Sequence, residues 1–177
     1  MVNNDEIFID KYVFECLGEL TIDYSRLSVV KYSPDLKVDK KIHNQTDMIY
    51  LWVIPKEDKK KIIYVGETRN SVKHRWNQHE RAFTELLNQL GRIRNETLNK
   101  VRIIQLLNND GNNRKKQRQF LTLMTGHDAP ESVYVYAKKA KQQEIMGVNV
   151  SLRHAEEQAI MDKFDPKLNN IKPIHNE

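Results

Sequence analysis

The sequence predicts an α+β fold, with a small three-stranded central sheet flanked by helices, an N-terminal extension and a helical insertion. Three observations predict it. Two β-branched and aromatic runs, Met48 to Ile54 and Lys61 to Gly66, flank a Pro- and Lys-rich link and read as a β-hairpin. A third run, Ser132 to Ala137, alternates Val and Tyr; it supplies the remaining strand, with Tyr134 and Tyr136 on one face. Around these runs, apolar residues recur at helical spacing.

Taken in order, residues 1–47 read as an extension packed on the core, and 48–177 as the core domain. Asn4, Asp5 and Glu6 can start a helix whose Ile9, Val13, Cys16, Leu17 and Leu20 share a stripe, so Cys16 is expected in helix packing. Thr21 to Lys41 reads as extended or irregular, with a turn at Ser33-Pro34-Asp35. The stripe needs cover, which places the extension against one face of the sheet.

After the hairpin, Asn70 or Ser71 caps a helix carrying Val72, Trp76, Phe83, Leu86, Leu87 and Leu90, and Gly91 stops it. The insertion spans about residues 91–130. It holds a helical pattern from Glu96 to Leu107, a loop from Asn108 to Asn113, and a basic run leading into Phe120, Leu121, Leu123 and Met124. Beyond the third strand, Gly147 marks a loop. Ser151 is then placed to cap a helix from Leu152 to Phe164, which buries Ala155, Ala159 or Ile160, and Phe164, with Glu157 beside the stripe.

Bulk properties narrow the function. A net charge of +5 over 177 residues favours an anionic partner. A mean hydropathy of −0.71, no apolar run of spanning length and no basic-then-apolar leader give the expectation of a cytoplasmic protein. The single cysteine excludes an internal disulfide, and no His/Cys spacing suggests structural zinc.

Four side chains stand out. Tyr50 and Tyr64 lie on neighbouring strands, and Arg75 and His79 sit one turn apart on one helix face. A guanidinium can fork onto phosphate oxygens, and an imidazole with a phenol can move a proton to or from water. That set suits a phosphodiester.

The order Ile49-Tyr50, then Tyr64-Val65-Gly66, then Arg75-Trp76 and His79 resembles the GIY-YIG nuclease superfamily. The resemblance continues through Glu157 to Asp165-Pro166-Lys167-Leu168-Asn169, and so brackets residues 48–170. Met48 stands where the family usually has its first glycine, and the link from Gly66 to Arg75 is one residue longer than in many members.

The resemblance implies a GIY-YIG-like fold and a metal-dependent endonuclease acting on double-stranded DNA. Glu157 would hold one Mg²⁺ or Mn²⁺, and Arg75 would bind the scissile phosphate. Tyr50 would be the general base, helped by His79, and Tyr64 would orient the water or phosphate. A free phenol titrates near about 10, so Tyr50 is a poor base unless Arg75, the metal and Lys73 lower its pKa; failing that, His79 or bulk solvent would take the proton. Gly66 and Asn169 would support the module.

DNA would be gripped by Arg92, Arg94, Arg102, Arg114, Lys115, Lys116 and Arg118, with Lys138, Lys139 and Lys141 lining the cleft at the exit of the third strand. Recognition is expected from the N-terminal segment and the insertion. The layout resembles a stand-alone type II restriction endonuclease, for which a palindromic site calls for a homodimer. A phage-type or structure-selective endonuclease, or a non-catalytic nucleic-acid-binding protein of the same fold, is the alternative.

Overall fold

The computed structural model describes residues 6–9, 12–22, 30–35, 40–56, 59–91, 115–125, 127 and 129–169. The strands are β1 (Glu6–Ile9), β2 (Tyr12–Ile22), β3 (Val30–Pro34), β4 (Met48–Lys56), β5 (Lys59–Thr68), β6 (Val133–Lys139), β7 (Gln142–Ile145) and β8 (Val148–Ser151). The helices are α1 (Lys40–Asn44), α2 (Val72–Gly91), α3 (Lys115–Thr125) and α4 (Arg153–Phe164).

The expected trio of strands is present, with β4 paired to both β5 and β6. The sheet is larger than expected, however. It runs β1-β2-β6-β4-β5, with β3 also paired to β2 and every pairing antiparallel. The segment expected to be a helix lying over the sheet instead supplies its strands, and Ser33 and Pro34 form ladder pairs in β3 rather than a turn.

A β-bulge explains the false helical period. Cys16 pairs with Tyr136 and Gly18 with Val135, so Leu17 is an extra residue and the strand changes phase there. Phe14 and Cys16 therefore enter the core on one face of the sheet, while Leu17 and Leu20 enter the core on the other. The resulting spacing mimics a helix. Gly18 is required at this bulge: its φ is +154°, and a Cβ there would run into Ser33 O.

Two cores result. On one face, α2 contributes Val72, Trp76, Phe83 and Leu86 and α3 contributes Phe120, Leu121 and Met124, packed over Tyr50, Trp52 and Tyr64. On the other, Ile160 of α4 packs over Ile49, Leu51 and Val65. Helix α2 starts as expected, with Ser71 Oγ accepting from His74 N at 3.2 Å.

Helix α4 departs from expectation at both ends. Its N-cap is Leu152 with no side-chain cap bond, because Ser151 is committed to pairing with Gln142 in the β7–β8 ribbon. Phe164 is 39% exposed, and Glu156 and Ile160 take the buried positions. The expected helix at Glu96 to Leu107 lies outside the described residues. Among the described residues, no helix is long and apolar enough to cross a membrane.

β5 ends the strand order, and the chain after α4 covers its free edge. Leu168 N donates to Ile63 O at 2.9 Å. Asn169 then imitates a strand residue: its Nδ2 donates to Val65 O at 2.7 Å and its Oδ1 accepts from Val65 N at 2.8 Å. Asn169→Ala leaves both backbone groups unpaired, so it is expected to lower unfolding stability by about 2 kcal/mol in denaturant titration, with Asn169→Asp recovering part of the loss.

Candidate active site

Tyr50 sits in the middle of β4, where two flanking strands hold its backbone, and only 1% of it is exposed. Its ladder partner on β5 is Gly66, and the tyrosine ring lies directly across that glycine. A Cβ at position 66 would stand 2.5 Å from the Tyr50 hydroxyl. The missing side chain is what lets a phenol from β4 extend over the edge strand.

Helix α2 brings two groups onto that hydroxyl. His79 Nε2 lies 2.9 Å from Tyr50 Oη, and Arg75 Nε donates to the same oxygen at 3.3 Å. A guanidinium can only donate, so Tyr50 Oη accepts from Arg75, while the bond between Tyr50 and His79 can run in either direction according to the imidazole tautomer. His79 is 4% exposed, with rings of Trp52, Tyr64 and Trp76 around it at centroid distances of 5.1, 6.0 and 6.2 Å.

This enclosure sets the charges. Burial, then the cations Lys116 and Arg75, push the His79 pKa down to about 2, so the imidazole is neutral. Burial, then Tyr64, hold the Tyr50 phenol well above its ordinary value, with Arg75 opposing them. Arg75 lowers it, as the sequence suggested, but is outweighed, and Lys73 is not among the groups that act on it. Lys73 is exposed, and its field falls on His43 instead.

Tyr64 has a partner that the sequence placed elsewhere. Lys116, expected to grip DNA, projects from α3 to donate to Tyr64 Oη at 3.2 Å, with its ammonium 4.4 Å from the ring centroid. Lys138 is also corrected. It is buried and paired with buried Glu156 at 2.7 Å, so it anchors α4 to β6. Lys139 and Lys141 are exposed beside it, and Lys141 N also donates to Glu156. Arg118 is half-buried on α3. Arg92, Arg94, Arg102, Arg114 and the side chain of Lys115 lie outside the described residues.

Glu157 approaches the same edge from the opposite face of the sheet. It is half-buried, it accepts a hydrogen bond from the backbone of Glu67, and it feels the positive charge of Arg75. Burial, then the neighbouring Glu67 carboxylate, raise its pKa. Glu67, His154 and Glu157 each offer one ligand atom, all within 4.8 Å of one another. This oxygen-rich donor set fits a divalent cation. The sequence reading missed Glu67 and His154. The available signals were that Glu67 directly follows Tyr64-Val65-Gly66 and that His154 and Glu157 have the i, i+3 spacing of one helix face.

Two outcomes are expected. Gly66→Ala displaces the Tyr50 ring, so it should break the Tyr50–His79 contact, read as altered His79 chemical shifts in NMR, and lower stability by about 1–3 kcal/mol. The second concerns acid. His79 is neutral when folded but titrates near about 6.5 when unfolded, so the unfolded chain binds more protons below that pH. Stability should fall as pH drops from 6.5, by up to about 1.4 kcal/mol per unit from this residue, and the slope should flatten in His79→Gln. His43 acts in the same direction and Glu157 in the opposite one, so the comparison between wild type and variant isolates His79.

Neither a family model nor a curated protein matches this chain. Two solved structures do. A mutant of EndoII from bacteriophage T4 is 18% identical with a TM-score of 0.50, covering 88% of this chain and 91% of its own. The restriction endonuclease HPY188I in complex with product DNA is 17% identical with a TM-score of 0.41, covering 92% of this chain and 79% of its own. What the first of these likenesses shows is the fold alone.

Proposed function

We propose that this chain is a metal-dependent endonuclease that hydrolyses phosphodiester bonds in double-stranded DNA, with Tyr50, Tyr64, Arg75, His79 and Glu157 as its catalytic residues. The observation that carries the reading is the junction at Gly66. There a phenol bonded to a neutral imidazole and a guanidinium meets a carboxylate coming from the opposite face. The GIY-YIG motif order in the sequence and a fold shared with EndoII of bacteriophage T4 support it.

In the proposed reaction Arg75 binds the scissile phosphate and offsets the charge that grows on it. Drawing the guanidinium outward uncovers Tyr50 Oη, which is otherwise buried. Tyr50 then takes a proton from the attacking water while passing its own to His79 Nε2. The phosphate also counters the cationic field of Arg75, one of the causes that depress His79, so substrate binding makes the imidazole a better acceptor. Lys116 holds the Tyr64 hydroxyl in place beside this relay. Glu157 would hold Mg²⁺ or Mn²⁺, which supplies Lewis-acid stabilisation of the reacting phosphate and the leaving oxygen.

DNA is contacted by Lys139 and Lys141 beside the site and by the basic residues around the insertion. The preferred form of this activity is site-specific restriction, carried out by a homodimer that matches the two-fold symmetry of its site. A phage-type endonuclease is the second reading, favoured by the fold shared with EndoII.

Supercoiled plasmid and unmethylated genomic DNA incubated with Mg²⁺ test all of this. Discrete fragments are the result expected for restriction, a smear is that of the phage-type reading, and intact DNA with a gel shift would leave only a binding protein. Tyr50→Phe is expected to lower the cleavage rate by about 10³-fold and Tyr64→Phe by about tenfold. Equal losses across several pH values would remove Tyr50 from the base role. Glu157→Gln should abolish cleavage while DNA binding persists.

A further inference from the structure

Resting on the nuclease reading above, the surroundings of Glu157 say which cation it takes. Glu67 and His154 complete a set of three donors from two elements: Glu67 near the end of β5, His154 and Glu157 one turn apart on α4. The arrangement around Glu67 is directional. Its Oε2 is held by Arg153 Nε at 2.6 Å, and Arg153 is itself anchored to Asp47 Oδ1 at 2.9 Å. The other oxygen, Oε1, is left facing His154 Nδ1 at 3.6 Å, too far for a hydrogen bond.

We propose that Glu67, His154 and Glu157 together form a three-ligand divalent-cation site, and that His154 biases it toward Mn²⁺ over Mg²⁺. Carboxylates serve both ions. An imidazole favours the transition metal, because Mg²⁺ strongly prefers oxygen and keeps its waters. Three protein ligands leave positions open for water and phosphate oxygens. His154 is 74% exposed, so replacing it does not threaten folding, and Arg153 orients Glu67 without being a ligand.

The test is cation binding by the full chain without DNA. Mn²⁺ is titrated and the free ion followed by electron paramagnetic resonance; Mg²⁺ is measured by competition. The expected result is Mn²⁺ bound at one site at least about tenfold more tightly than Mg²⁺, with a spin-echo modulation from a directly bound nitrogen. His154→Ala should remove that modulation and weaken Mn²⁺ by about tenfold or more, with Mg²⁺ changed by less than about twofold. Glu67→Gln should weaken both ions.

If His154→Ala leaves the Mn²⁺ affinity and the nitrogen signal as they were while Glu157→Gln abolishes binding, the three-ligand site is overturned and the nuclease reading stands. Cleavage that persists in excess EDTA would instead remove the metal-dependent reading, and this site with it.

Discussion

The bond between Tyr50 and His79 is the constraint on which the rest of the site depends. It lies in a nearly dry enclosure, and both partners are polar, so neither can be left there alone without a desolvation cost of about 1–3 kcal/mol. The aromatic rings around it serve two purposes at once. They supply the apolar body of one core, and they exclude the water that would let His79 ionise. Arg75 and Lys116 act in the same direction from the rim. The same enclosure that stabilises the core keeps the imidazole neutral and the phenol protonated.

The second constraint is positional. A sheet separates its two faces by the thickness of its backbone, and Tyr50 and Glu157 belong to opposite faces. They can cooperate only at an edge. β5 ends the strand order, Gly66 leaves room for the Tyr50 ring to extend across it, and Arg75 of α2 is near enough for its charge to act on Glu157. The same edge is a liability, since its unpaired backbone groups invite another strand. Leu168 and Asn169 occupy those groups just below the site. The C-terminal motif is thus an edge cap, and its distance in sequence from the hairpin follows from the need for α4 to cross the opposite face first.

How much of this was legible in the sequence depended on whether the signal was local. The β4–β5 hairpin, the capped start of α2 and the strand β6 all rest on short-range patterns, and each was readable. So were the residues meeting at the Tyr50 hydroxyl, because motif order carried them. The N-terminal strands were not readable: an extra residue at Leu17 shifts a period of two by one position, and the apolar spacing becomes that of a helix. The lysines failed for a different reason. Charge runs look alike in sequence, yet Lys138 answers a buried glutamate eighteen residues later and Lys116 answers a phenol fifty-two residues earlier. Such partners are set by how elements stack, and nothing near either lysine announces them.

That difference also explains why the sequence singled out Glu157 and not Glu67 or His154. A single carboxylate on a helix carries meaning only through its place in a motif, whereas a cluster carries meaning through convergence, which requires the fold. Asp47, just before β4, Glu67 near the end of β5 and Arg153 at the start of α4 are joined by two short ion pairs, so three separate elements are tied together at the point where Glu157 arrives. An exposed salt bridge contributes little to stability by itself. Here Arg153 binds both acids and is itself only 13% exposed, so the pairs hold position more than they add free energy. The consequence is a carboxylate, Glu67, whose orientation is set by Arg153, with Oε2 engaged and Oε1 turned toward His154.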